Sequence, residues 1–225
     1  MWCVAQIDQQ YVDRMEDVLR LYARKYKWDE PVVALDERPV QLLADAHHRA
    51  PMKPGRLART DYEYVRCGTA NVFCIIEALT GWRLTHGTKN RKAIRYARAL
   101  KKIAKRYAHA KTIHLVQDNL NTHAEKSLLQ AFGEREGRAL WRRFTVHYTP
   151  KHGSWLNVAE IEAGLVAREC LGRRRIATAA QLRHQVAMWR QRAERSGRPI
   201  NWKFRVSDAR RVFRYEGIKT IRSEH

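Results

Sequence analysis

Four short runs rich in β-branched and aromatic residues restrict what this chain can fold into: VVAL (32–35), NVFCIIEAL (71–79), TIHLVQ (112–117) and RRFTVHY (142–148). Runs of this length and type, bounded by polar or turn residues, read as strands. YEYVRCG (62–68) precedes NVFCIIEAL with only Thr69 and Ala70 between them, which predicts an antiparallel hairpin, and a third strand or a turn is expected around Gly81–His86. From there on strands alternate with segments of helical period, so the chain calls for an α/β domain with a mixed sheet and helices on both faces.

The helical segments are legible from their apolar spacing. Residues 8–26 place Val12, Met15, Val18, Leu19 and Tyr22 on one face. Residues 89–108 set Ala93, Ala97, Leu100, Ala104 and Tyr107 against a separate stripe of Arg91, Arg95, Arg98, Lys102 and Lys105. Thr122 with Glu125, and Thr178 with Gln181, fit capping boxes. The helix opened by Thr178 carries Leu182, Val186, Trp189 and Ala193 and ends at Gly197–Pro199. Residues 45–60, with Pro51, Pro54 and Gly55 among several basic groups, read as a mobile basic loop. The basic segment after residue 199 carries no clear pattern.

Two of the buried runs end in an acid. VVAL stops at Asp36, followed by Glu37, Arg38 and Pro39; TIHLVQ stops at Asp118. Ligand sites in α/β sheets form at the carboxyl ends of strands. A third acidic position opens the helix after RRFTVHY, within HYTPKHGSWLNVAEIE (147–162). Glu160 and Glu162 are two residues apart, about 200° around a helix, so only one of them can face the same site. Glu162 falls among Val158, Leu165 and Val166, whereas Glu160 shares its face with Ala163, Gly164 and Ala167. Three carboxylates converging from separate elements need a countercharge, and Mg²⁺ suits an all-carboxylate set facing a phosphodiester. Glu37 alternates with Asp36 and should point to the opposite face of its strand, in a supporting role.

The charge balance points to the partner. With 44 Lys+Arg against 23 Asp+Glu, the chain carries +21. A domain this basic calls for a polyanion, and no lipidation motif or apolar membrane span accompanies the charge. Nucleic acid is therefore the expected partner and no membrane is. The stripe of Arg95, Arg98 and Lys102 is read as a phosphate contact, with a solvated face as the alternative. Lys151 and His152 are placed on the DNA backbone ahead of a tight turn at Gly153, and Trp155 is expected to pack under that loop. His123, near a helix N-terminus, is read as a phosphate contact or else a helix-start packing residue, and Asn119 as a neighbour that orients water beside Asp118. The four cysteines, Cys3, Cys67, Cys74 and Cys170, have no zinc-like spacing and read as reduced, packed thiols; the first ten residues do not resemble a signal peptide.

VALDERPVQ (33–41), LVQDNLNTH (115–123) and YTPKHGSWLNVAEIE (148–162), in this order, resemble the three catalytic blocks of DDE transposases, with DYEYVRCGTANVF (61–73) between the first two. The bacterial insertion-sequence branch of the mariner-like superfamily is the nearest in pattern, and the similarity runs from about residue 10 to about 215. The resemblance implies a ribonuclease-H-like five-stranded mixed sheet and dependence on Mg²⁺ or Mn²⁺, with two ions expected. It also implies DNA cleavage followed by strand transfer, with Asp36, Asp118 and Glu160 as the catalytic, metal-binding acids. It further implies a cytoplasmic, nucleoid-associated bacterial protein that acts on double-stranded DNA as a homodimer.

Three segments are expected: a linker helix over 1–30, the catalytic domain over 31–198 and a basic tail over 199–225. Relatives carry a helix-turn-helix region ahead of the catalytic domain. None is seen in this sequence, which leaves three readings: a truncated element, a split frame with a separately encoded helix-turn-helix partner that reads transposon ends, or an incomplete stretch of the protein. Two other readings stay open: a ribonuclease-H-like nuclease that cuts without joining, and an inactive DNA-binding remnant.

Overall fold

The computed structural model describes residues 7–47, 53–56 and 61–215. Its centre is a five-stranded sheet in the order β3-β2-β1-β4-β5. The strands are β1 (Val32–Asp45), β2 (Tyr64–Glu77), β3 (His86–Thr88), β4 (Ile113–Gln117) and β5 (Phe144–Tyr148). β1, β2 and β3 pair antiparallel, while β4 and β5 extend the sheet in parallel from the other side of β1. The mixed sheet with helices on both faces is as expected.

On one face α2 (Ala93–Arg106) and α3 (Glu125–Trp141) cover Val33, Leu35, Phe73, Ile75 and Leu115. On the other, α1 (Gln9–Tyr22) packs over Ala34, Ile76 and Val116, and α5 (Ala179–Arg195) over Val72 and Cys74. Between them lies α4 (Ala159–Leu165), which runs on as a π-helical turn over Val166–Leu171. The alternation of Val33, Ala34 and Leu35 between the faces is the two-residue period of a strand buried on both sides.

Several local expectations change. Instead of two strands joined at Thr69–Ala70, residues 64–77 form the single strand β2, which pairs with β1 along its length. Neither Thr nor Ala favours the positive φ of a two-residue hairpin turn. Gly68 takes φ +94° near the point where the β1–β2 register shifts, between Gln41 and Leu43. That is the place of a bulge rather than a turn. β1 also runs past Asp36 to Asp45. Its pairing with β4 stops at Ala34, so the residues beyond have a partner strand on the β2 side alone. Pro39, exposed in this half-free stretch, is tolerated as proline is on an edge strand.

The Thr122–Glu125 box is absent. Ala124 is the cap of α3, and the Thr122 carbonyl accepts from Ser127 Oγ at 2.6 Å. The box at Thr178 and Gln181 is formed. Gly81, at φ +72°, makes the turn toward β3, and a Cβ there would lie 2.9 Å from the Arg198 carbonyl carbon.

The segments flanking 31–198 join the core. α6 (Val206–Phe213) packs with Trp202, Phe204 and Tyr215 into the cluster that holds α1 and Trp155. Glu16, buried on α1, is the polar anchor of this joint. It receives Arg210 Nε at 3.0 Å and the Tyr215 hydroxyl at 2.9 Å, and pairs with Arg20. Burial opposes its charge, but the hydrogen bonds of Arg210 and Tyr215 and the nearby guanidinium charges prevail and lower its pKa. The expected borders at residues 30 and 199 therefore cross one packed cluster.

Cys74 and Cys170 are buried free thiols, whereas Cys67 is exposed on β2, against expectation; Cys3 lies outside the described residues. Of the expected basic loop, 48–52 and 57–60 lie outside the described residues, and 53–56 form a turn closed by Lys53 and Arg56. Among the described residues no helix is long and apolar enough to cross a membrane.

Candidate active site

The sheet changes direction of growth between β1 and β4. The chain leaves β1 toward β2 and β3, then returns through α2 to lay β4 on the other side. Ala34 pairs with Val116, and two residues further along each strand stand Asp36 and Asp118, side by side at this switch point. Asp36 lies within β1 rather than at its end, where the parallel pairing stops.

α4 supplies the third acid. Its first turn is tied to β1 by Asn157, whose Nδ2 donates to the Leu35 carbonyl at 2.8 Å while its Oδ1 accepts from the Ala159 amide at 3.1 Å. The Glu160 amide donates to the Asn157 carbonyl at 2.9 Å. One buried side chain thus fixes the start of α4 to the peptide preceding Asp36. Upstream, the Gly153 amide closes a turn on the Pro150 carbonyl, and a Cβ at Gly153 would fall 2.4 Å from the Pro150 ring. Lys151 and His152 project, exposed, from this turn. Trp155 is packed as expected, against Trp202, Phe204 and Phe213.

The two glutamates of α4 have separate surroundings. Glu160 is exposed. Glu162 is fully buried, 3.2 Å from Arg83 Nε and 2.9 Å from Thr85 Oγ1. Arg83, buried as well, donates its other nitrogens to the carbonyls of Ala193 and Arg198. Glu162 is committed to a structural ion pair, and Glu160 is left facing the sheet acids.

Electrostatics place Asp36 with Asp118 and Glu160. Burial, then the Glu160 charge, with Asp118 and Glu37 adding to it, pushes the Asp36 carboxyl up to about 7. The Glu37 amide, donating to Asp36 Oδ1 at 2.7 Å, only partly opposes this. A carboxylate crowded by like charges is relieved by a cation. The donors are carboxylate oxygens with no sulfur or imidazole, the set that suits Mg²⁺ or Mn²⁺. In donor chemistry the three acids fit such an ion, although among the described residues the group of three whose ligand atoms all lie within 4.8 Å of one another is His47, Asp61 and Glu63.

Of the two readings of His123, the structure favours packing over a phosphate contact. The ring is buried and does not present itself to a phosphate. Its Nδ1 lies 2.6 Å from Asp118 Oδ1 and its Nε2 2.8 Å from Glu37 Oε1. Burial disfavours the imidazolium, but its hydrogen bonds to Asp118 and Glu37 and their charges outweigh it and raise the pKa to about 9. The ring stacks on Tyr96 at 4.6 Å, while Gln117 Nε2 and the Tyr148 hydroxyl both donate to the His123 carbonyl. Glu37 is on the opposite face from Asp36, as expected, and reaches Asp118 through this imidazolium. Asn119 is exposed beside Asp118.

The roles of Asn157 and Gln117 escaped sequence reading. Asn157 had a signal in its place at the head of the acidic helix; Gln117, one residue before Asp118 in a buried run, had one in its polarity. Arg95, Arg98 and Lys102 lie away from the acids, on α2 beside β3 and α5.

Comparison with known proteins agrees with this fold. Similar solved structures include the mariner Mos1 paired-end complex with Mg, at 14% identity over 88% of this chain and 60% of that chain, TM-score 0.54. The Mos1 strand transfer complex matches at 14% identity over 81% and 53%, TM-score 0.53. The Mos1 transposase catalytic domain with raltegravir and Mg matches at 11% identity over 84% of each chain, TM-score 0.51. At such identities the likeness is one of fold, and it makes this sheet ribonuclease-H-like. The chain spans about half the length of the Mos1 chains in the strand transfer complex and in the paired-end complex with Mn. No curated protein matches. The sequence model for DDE superfamily endonucleases matches residues 31–183, from the strand bearing Asp36 through α4 into α5. With its sheet order and that match across most of its length, the chain belongs to the DDE superfamily endonuclease family.

Proposed function

We propose that this chain is the catalytic unit of a transposase of the bacterial insertion-sequence type, acting on nucleoid DNA. It cleaves a strand at a transposon end and joins the freed 3′-hydroxyl to target DNA. The observation that carries the reading is the crowding of Asp36 by Glu160 and Asp118 at the β1–β4 switch point. We assign all three acids as ligands of Mg²⁺ or Mn²⁺, two ions in the working state. Bound there, the ions supply Lewis-acid activation and neutralise charge that develops on the phosphodiester.

The chain's own part is positioning. Asp36 is held by rigid sheet, Asp118 by the imidazolium of His123, and Glu160 by the Asn157 clamp. Exposed Lys151 and His152 are placed to touch the DNA backbone, and Asn119 to orient water beside Asp118. Hydrolysis breaks one P–O bond and forms another to water. Strand transfer exchanges one phosphodiester for another, so neither step needs a nucleotide cofactor. In this reading a homodimer holds two ends together, with sequence-specific recognition assigned to a helix-turn-helix unit.

Supercoiled plasmid incubated with Mg²⁺ or Mn²⁺ tests the proposal. The wild-type chain is expected to nick and to yield joined products, and Asp118→Ala to do neither. Equal nicking by both would overturn the assignment, and nicking without joined products would identify a nuclease lacking strand transfer.

Glu37→Gln separates support from coordination. It removes one of the two charges that keep His123 protonated and so loosens Asp118 without touching the three acids. Partners at this remove from a metal ligand typically contribute about 10–100-fold to metal affinity or activity. Metal-dependent nicking is expected to fall within that range, with the Mg²⁺ requirement shifted to higher concentration. An unchanged Mg²⁺ titration would exclude the relay.

A further inference from the structure

The cations of α2 do not stand alone on a solvated stripe. Arg95, Arg98 and Lys102 form one wall of a groove of about 550 Å³; β3 is its floor, and α5 with Arg183 and Arg190 is the opposite wall. No residue lining it is acidic, and the carboxylate paired with Arg190 is Glu194, 3.7 Å from Nε. Nε of Arg95, Nε of Arg190 and Nδ1 of His86 are each shut off from solvent with no hydrogen-bond partner among the described residues. The His86 ring is fixed by stacking on Phe73 at 5.4 Å. Burial first, then the charges of Lys102, Arg190 and Arg95, depress the His86 pKa to about 3, and burial followed by Arg190 lowers that of Lys102. Arg95 and Arg190 are half-buried while Arg98, Lys102 and Arg183 are exposed, and like charges facing one another across a groove destabilise a fold unless an anion joins them.

The shape selects a polymer over a small anion. Arg95 and Lys102 are seven residues apart on α2, as are Arg183 and Arg190 on α5, so each wall carries charge over roughly 10 Å. Successive phosphates of one B-DNA strand rise about 3.4 Å along the helix axis and are further apart along the strand itself, so each wall reaches about two phosphates. The location fits too. Glu37 pairs with Phe73 and Phe73 with His86 across β1, β2 and β3. The groove floor therefore lies two strand spacings, about 10 Å, from the strand that bears Asp36.

We infer that the β3 groove between α2 and α5 is a backbone channel that holds the phosphates of the DNA being cut, with His86, Arg95, Lys102 and Arg190 as its inner contacts. The inference rests on the DNA-cleavage reading and adds to it the path that the strand takes away from the acids.

The test compares the triple variant Arg95→Gln, Lys102→Gln, Arg190→Gln with a control triple at exposed cations elsewhere, Lys25→Gln, Arg135→Gln, Arg142→Gln. Affinity for a short fluorescent duplex of arbitrary sequence is measured in EDTA over a salt series. Each cation–phosphate pairing removed flattens the slope of log K against log salt by about 0.9. The groove triple is expected to reduce the slope by about two to three and the control by less than about one. Melting temperature verifies folding: with repulsion relieved, the groove triple should melt at or above wild type. An unchanged slope in the groove triple, or equal reductions in both triples, would overturn the channel. So would a duplex slope left unchanged by the groove triple while inorganic pyrophosphate stabilises the wild type, because the groove would then be a small-anion site. Because the binding is read without metal, Asp118→Ala should keep the wild-type slope. A groove triple with a flattened slope, in a chain of which no version nicks plasmid, would leave the channel standing and remove the cleavage reading alone.

Discussion

Asp36→Asn is expected to reduce metal-dependent strand cleavage by at least about 10³-fold, because a Lewis-acid contact is worth several kcal/mol and each 1.36 kcal/mol is a factor of ten. The same substitution should raise the melting temperature in EDTA. In the metal-free protein Asp36 is half-buried and crowded by the charges of Glu160 and Asp118, so its charge costs folding energy above the pH at which an unfolded aspartate ionises. An amide of the same shape removes that cost, and each kcal/mol relieved raises Tm by about 2–4 °C in a chain of this size. Adding Mg²⁺ should stabilise the wild type, since an ion that binds only the folded state shifts the equilibrium by mass action. It should stabilise the variant far less. Calorimetric scans in EDTA and in Mg²⁺, beside the plasmid assay, read both effects. A variant that loses cleavage but melts lower than wild type in EDTA would show that Asp36 is structural, and the crowding argument would fall.

Arg83→Met should be the most damaging single change outside the acids. The guanidinium and the Glu162 carboxylate are both buried, with side-chain exposures of 1% and 0%. Burial dominates at Glu162 and leaves its pKa raised even with Arg83 and Thr85 pulling it down. Removing Arg83 strands a buried carboxylate, which costs about 3–5 kcal/mol. At the same Tm sensitivity that is a fall of roughly 6–20 °C. It also frees the carbonyls of Ala193 and Arg198, loosening the end of α5. The double variant Arg83→Met, Glu162→Gln should recover part of the loss, because it removes the stranded charge and leaves only the unmade hydrogen bonds. Urea melts of the three proteins decide it. A double variant as unstable as Arg83→Met would place the cost in the carbonyl contacts and not in the charge.

What the sequence makes legible follows from the range of each interaction. Helix faces depend on local spacing, and the buried positions of α5, Leu182, Val186, Trp189 and Ala193, emerge as read. The setting of Asp118 and Glu160 is legible because a strand end and a helix start are local too, whereas Asp36, read as a strand end, lies within β1. The choice between Glu160 and Glu162 needs only helical geometry to separate them. Arg83, which settles where Glu162 goes, is 79 residues away, and nothing local announces it. The β1–β2 ladder hides from the sequence for a related reason. Pro39 looks like a terminator until it is known that this half of β1 has no second neighbour. His123 reads as outward-facing because its place near a helix start suits an anion. Its neighbours Glu37 and Asp118 are themselves the anions, and only the sheet brings Glu37 within reach. The α5 wall that completes the groove beside the α2 stripe is far downstream in the chain, so the groove cannot be seen from either helix alone.

The Asn157 clamp has a consequence for how such a domain can vary. Because the head of α4 is referenced to the Leu35 carbonyl, the height of Glu160 above the sheet is measured from β1 itself. Whatever happens between β4 and the turn at Gly153 adds no error to that measurement. The stretch between His123 and β5 can lengthen or accept an inserted element while the third acid returns to the same datum. Two of the three acids share a sheet and the third is gauged against that sheet, so tolerance to remodelling is concentrated in the segment that separates the second acid from the third.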